Sequence, residues 1–173
     1  FLFYAAGAVM QILNWPVDPE MNSALSAGIY LASIGCMAAG ILRRYGVRAE
    51  LALTAVCVLL FGAVAYYHFG KPDLNGRTYT LNFGIGAVLC AAAWRIRRAT
   101  RATRIDRCIF WVFALFGMSF FPRTLLTMAL PLPFVPNVVG SATFWLLLQL
   151  TLVLTGLILA LALLVASLAD MIA

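Results

Sequence analysis

The chain has 173 residues, of which 64% are hydrophobic and only 10% charged, with a mean hydropathy of +0.99. A soluble domain is about a quarter charged, because it needs a solvated shell; too few charges exist here to coat a globule in water, so a bilayer is the expected solvent. The net charge of +6 and pI near 9.6 do not point to nucleic acid, since in membrane proteins Lys and Arg collect in cytoplasmic loops and set orientation.

Apolar stretches of about 20 residues, enough to cross roughly 30 Å of hydrocarbon, alternate with short polar turns. A first helix is expected over 1–15. It starts at Phe1, already inside an apolar segment and without an initiator Met, and neither the basic start nor the small-residue cleavage site of a signal peptide is visible. WPVDPE follows, with two prolines and two acids that forbid helix continuation. Helices over 22–42 and 51–69 are separated by RRYGVRAE, and the turn-rich GKPDLNGR leads to a helix over 78–94. RIRRATRATRIDR joins this to 108–130, which PLPFVPN closes. A last helix over 138–173 ends as abruptly as the chain began, so the whole reads as a piece of something longer. The expected fold is all-α: residues 1–173 form a single polytopic transmembrane domain of six helices.

Orientation follows from the basic residues. The turns after the second and fourth helices hold Arg43, Arg44, Arg48, Arg95, Arg97, Arg98, Arg101, Arg104 and Arg107, whereas the other turns hold only Lys71 and Arg77. Nine against two places both chain ends in the cytoplasm and points to a bacterial inner, or plasma, membrane.

Two stripes suggest helix contacts. Ala24, Gly28, Ala32, Cys36 and Gly40 recur every fourth position, so they share one face of the second helix, where a neighbouring backbone can approach closely. That face serves internal packing or a contact between subunits. In the last helix, Leu147, Leu150, Leu154, Leu157, Leu161, Leu164, Leu168 and Met171 follow a 3-4 spacing, the seam of a coiled coil. At 1.5 Å per residue this helix would reach about 50 Å, longer than the hydrocarbon is thick. Its last turns are expected to project into the cytoplasm and pair with a second copy.

Chemistry-bearing residues are scarce. The four cysteines, Cys36, Cys57, Cys90 and Cys108, form no CxxC pair and read as small packing residues. Haem needs axial ligands, and the chain has one histidine, His68; for copper its outer companions are Met10 and Met21. No HExxH or GxSxG occurs, and no acid sits in a membrane centre for intramembrane proteolysis or a proton relay. No catalysis, cofactor, metal or nucleic-acid partner is expected of this segment.

What remains is a set of polar groups toward the outer ends of the helices. Arg123, in SFFPRTLL, lies deep enough to be costly, by about 2.5 kcal/mol or more at a bilayer centre, unless it faces a cavity or partner or snorkels to phosphates. Pro122 beside it removes a backbone donor and is expected to kink the helix. Asn22, Ser26 and Tyr30 fall four apart on one face of the second helix, and Gln11, Asn14, Tyr66, His68, Asn82 and Gln149 lie at similar depth. The expectation is an outward-facing pocket for an amphiphilic or anionic ligand, formed by Arg123, Gln149, Asn82, Tyr30, Tyr66, His68, Gln11 and Asn14. The Arg123 fork would take a carboxylate or phosphate, unless Asp18 or Glu20 pairs with it and makes the cluster structural.

The segment LLLQLTLVLTGLILALALLVASLADMIA, with the basic turns RRYGVRAE and RIRRATRATRIDR, resembles the amino-terminal membrane sensory region of bacterial GGDEF diguanylate cyclases, in which the last helix runs into the catalytic domain. The resemblance implies a homodimer whose last helix sets the juxtaposition of two cyclase domains that condense two GTP into cyclic di-GMP. The chain contains no GGDEF sequence, so no catalytic residue is carried over. A small transporter or channel subunit, or a membrane scaffold using the second-helix stripe, are the alternatives.

Overall fold

A computed structural model describes residues 2–13, 15–48, 50–71, 73–97, 104–129 and 143–172. Six α-helices follow one another: α1 Leu2–Ile12, α2 Pro19–Arg44, α3 Glu50–Ala65, α4 Leu74–Ile96, α5 Arg104–Ala129 and α6 Thr143–Ile172, with a π-helical segment Tyr66–Gly70 continuing α3. The described residues are all-helical, about 90% helix, with no strand among them. Four helices are long and apolar enough to cross a membrane, over Ala24–Arg44, Leu51–Gly70, Asn75–Ile96 and Asp106–Ala129; α6 carries a shorter described apolar stretch, Leu154–Leu168. Part of the expected start of the last helix, 138–142, lies outside the described residues.

Local chemistry moves several boundaries. Pro19 starts α2 instead of blocking it, because the first helical position needs no backbone donor and favours the proline φ. α4 begins at Leu74, a turn before the expected 78, since the Asp73 side chain accepts from the Asn75 N–H and caps it. α2 ends in a Schellman motif: Val47 N–H donates to Leu42 O at 2.9 Å and Gly46 N–H to Arg43 O at 2.9 Å. Gly46 takes φ +69° there, which a side chain would strain. α5 runs as one helix through Pro122. The proline leaves Met118 O without its usual donor.

α4 occupies the centre and touches α2, α3 and α5; α1 packs on α2, and α6 on α5. The core joins Leu31, Ile34, Ala38 and Ile41 of α2, Ile85, Leu89, Ala92 and Ile96 of α4, Phe113, Phe116 and Phe120 of α5, and Leu159 of α6. α4 and α5 approach most closely at two glycines. A Cβ on Gly86 would fall 3.2 Å from Gly117 O, and one on Gly117 would fall 2.8 Å from Leu89 Cβ and 3.2 Å from Cys90 N. α3 lies at the margin, with 6% of its spanning window buried.

The stripe on α2 is only partly an internal interface. A Cβ added to Gly28 would fall 3.3 Å from the Phe61 ring, so α3 covers the stripe there, whereas Ala32, Cys36 and Gly40 stay exposed. On α6, Leu159 and Ala166 are buried while Leu150, Leu154, Leu157, Leu161, Leu164 and Leu168 are 45–55% exposed; the side chain of Leu147 lies outside the described residues. The seam therefore faces away from the bundle.

These contacts separate two glycines by cost. Gly117→Val pushes a side chain into the backbone of α4 and is expected to destabilise the protein by about 1–3 kcal/mol. Gly40→Ala, with no atom within 4 Å of the added Cβ, is expected to be neutral or stabilising by up to about 1 kcal/mol. Thermal unfolding in micelles checks both; equal midpoints would refute the close α4–α5 packing.

Candidate functional site

α2 and α5 both pack on α4, and their side chains interact at two levels. Near the end opposite the arginine-rich turns, Arg123 of α5 lies within electrostatic reach of Tyr30 of α2. Both side chains are half-buried, and Arg123 sits six residues, about 9 Å, before the end of α5 at Ala129. The Tyr30 ring rests on α1, where a Cβ on Gly7 would come 3.2 Å from its Cε1. The phenol thus packs between α1 and α2 and lies within the electrostatic reach of a cation on α5.

The α2 face below and above Tyr30 is polar and turned inward. Asn22 is 6% exposed, Ser26 1% and Ser33 5%, and Asn22 Nδ2 donates to Met10 O at 3.1 Å, tying α1 to α2. On α5 the buried Thr124 hydroxyl donates to Phe120 O at 2.7 Å, Ser119 to Phe116 O at 2.7 Å and Thr127 to Thr124 O at 2.7 Å. Each hydroxyl is satisfied by its own helix, as hydrocarbon requires. The spacing of Asn22, Ser26 and Tyr30 foretold this face; Ser33, off the four-residue repeat, and Thr124 carried no comparable sequence signal.

Other expected site residues fall elsewhere. His68 and Tyr66 belong to the π-helical segment, which packs on α3 and α4. Arg77 Nη1 donates to His68 Nδ1 at 2.8 Å. A guanidinium has no acceptor, so Nδ1 must accept and the ring proton sits on Nε2. Tyr66 is exposed and set edge-on against Tyr67 at 5.6 Å. Asn82 is half-buried on α4 and makes no hydrogen bond among the described residues. Tyr30 and Arg123 are thus within electrostatic reach of each other, while His68 falls in a separate cluster with Arg77. Asn14 and the side chains of Gln11 and Gln149 lie outside the described residues.

At the arginine-rich end a second link joins α2 to α5. Tyr45, just past α2, donates to Asp106 Oδ1 at 3.0 Å, and Arg44 Nη2 stands 3.8 Å from the same oxygen. Asp106 is the only acid in RIRRATRATRIDR, a signal that could have identified it. Burial, reinforced by the hydrogen bond to Asp106 and its charge, pushes the Tyr45 hydroxyl up to about 12 from 10.0. Two apolar grooves flank α3. One, of about 490 Å³, runs from Gly28 to Arg43 between α2 and α3; the other, of about 360 Å³, runs from Gly84 to Arg95 between α3 and α4.

Because its pKa is raised on folding, the Tyr45 bond contributes fully below pH 10 and is lost as pH rises through about 12. The difference between wild-type and Tyr45→Phe absorbance titrations should rise near pH 12, and lower once Asp106→Asn is introduced into both; a wild-type step at the ordinary value would contradict the bond. His68 is the chain's one histidine, so ¹⁵N-histidine labelling reads it alone. The neutral protein is expected to show Nδ1 unprotonated, and Arg77→Leu to mix the tautomers; an Nδ1–H form in the wild type would exclude the Arg77 bond.

Compared with known proteins, the chain matches no family model, no curated protein and no solved structure.

Proposed function

We propose that this chain is the membrane sensory part of a bacterial signalling protein. It spans the inner membrane six times with both ends in the cytoplasm, takes an amphiphilic or anionic ligand in an outward-facing site at Arg123, and acts as a homodimer. Its last helix controls a diguanylate cyclase on the cytoplasmic side. One observation carries this reading: α5 bears Arg123 opposite Tyr30 and also bears α6, whose leucine seam is left uncovered.

The chemistry is a competition for one cation. A carboxylate or phosphate forked by Arg123 forms a charge-assisted pair, roughly twice as strong as a neutral hydrogen bond. Such a ligand would replace the α2–α5 link through Tyr30 by a link between α5 and itself. α5 would shift against α2, and α6 with it. The ligand moves this equilibrium only by its differential affinity for the two packings, and tenfold discrimination corresponds to about 1.4 kcal/mol. Two copies meeting along the seam would convert that shift into a change in how two cyclase domains face each other.

The test is cyclic di-GMP formation from GTP by the gene product that contains this chain. Arg123→Ala is expected to change output severalfold, with Arg123→Lys intermediate. Disulfide crosslinks between copies at Leu157→Cys or Leu161→Cys are expected to lock it. The proposal fails if no cyclic di-GMP forms under any of these conditions, or if locking the seam leaves the output and its Arg123 dependence untouched.

A further inference from the structure

Away from Arg123, the molecule offers a second place shaped for a ligand. α3 and α4 touch where the Leu60 side chain covers Gly84, so closely that a Cβ on that glycine would require Leu60 to move. Toward the arginine-rich end they leave the groove of about 360 Å³, walled by Val56 on α3 and by Ala87 and Ala91 on α4, and ending at Arg95. A volume of this size is in the range of small-molecule sites.

Its length and ends narrow the occupant. Gly84 and Arg95 are eleven residues apart, about 16 Å along a helix, which is about half of the roughly 30 Å hydrocarbon core. Arg95 belongs to the last turn of α4. Next to it Trp94 is exposed, and the Arg97 guanidinium lies 4.7 Å from the Trp94 ring. Such an aromatic and basic pairing is typical of headgroup level. The groove therefore runs from headgroup level to mid-membrane and stops there, closed by Leu60 on Gly84. A partner helix crossing the whole bilayer would have to continue past that closure. One acyl chain of one leaflet would not.

Charge selects the headgroup. Arg95 is exposed and makes no ion pair or hydrogen bond among the described residues. We propose that this groove seats one acyl chain of an anionic phospholipid from the leaflet at the arginine-rich end, with its phosphate on Arg95. Zwitterionic lipids fit the apolar trough equally well but bring a compensating cation to the guanidinium, so the preference rests on Arg95 rather than on the groove walls. This site is independent of any ligand at Arg123.

Native mass spectrometry of the purified chain, titrated in parallel with phosphatidylglycerol and phosphatidylcholine, tests the assignment. One basic residue near a membrane surface attracts an anionic lipid about fivefold. The wild type is expected to retain one phosphatidylglycerol with about that preference. Arg95→Gln should bring the ratio close to one, Arg95→Lys should keep most of it, and Ala91→Trp, which fills the trough, should release the lipid. Arg48→Gln removes the same charge outside the groove and should leave the ratio unchanged. Equal retention of the two lipids by the wild type, or equal effects of Arg95→Gln and Arg48→Gln, would overturn the proposal. So would efficient disulfide formation between Ala91→Cys copies, which would assign the groove to a second chain.

Discussion

The contact of α4 with α5 at Gly86 and Gly117 is the constraint on which the rest of the bundle depends. In lipid the hydrophobic effect does not drive one helix against another, because the tails are as apolar as leucine. Close approach and dense packing must supply the attraction, and dispersion falls off within fractions of an ångström. Two glycines facing each other's backbone remove the side chains that would hold these axes apart. With α5 drawn onto one side of α4, and α2 on another, the Phe113, Phe116 and Phe120 rings fill the space between them against Leu89 and Leu31.

That arrangement also explains where the polar side chains go. α2 and α5 both pack on α4, and among the described residues Tyr45 and Arg44 reach Asp106 at one end while Tyr30 lies within electrostatic reach of Arg123 toward the other. Between these levels the interior is apolar, and hydroxyls such as Thr124 turn back onto their own helix. A cation in hydrocarbon is costly in isolation. Arg123 is placed near the end of α5, within electrostatic reach of a phenol from α2.

The broad architecture was legible in the composition, and the site only in part. Scarce charges named the solvent, and the arginine-bearing turns marked one end of the bundle. Turn chemistry was misjudged where a breaker doubles as a starter: Pro19 opens α2, and Asp73 begins α4 inside a stretch that reads as loop. Of the expected ring, His68 and Tyr66 lie in a cluster apart from Tyr30 and Arg123, because equal depth along a bundle says nothing about azimuth. Helices apolar on every side leave no moment from which to read it. Tyr30 could be placed because Asn22 and Ser26 share its face. His68, Tyr66 and Asn82 had no such companions, and the partner of His68, Arg77, lies across a turn nine residues away.

The leucine seam of α6 shows how the surrounding solvent changes the meaning of exposure. Half-exposed leucines cost nothing against lipid, so Leu150 and Leu154 need no partner to account for them. α6 spans 30 residues, about 45 Å, against roughly 30 Å of hydrocarbon. In the proposed six-span topology the excess would fall at the end that carries Ser167 and Asp170, where the chain regains polar residues. Leu164, Leu168 and Met171 are exposed there too. Outside the hydrocarbon each square ångström of apolar surface is worth about 25 cal/mol when buried. In the proposed dimer the drive to pair is therefore concentrated in the last turns of α6, while the rest of the helix stays packed on α5. A helix held by its partner at one end and by α5 along the other is what a shift at Arg123 needs in order to be felt beyond the bilayer.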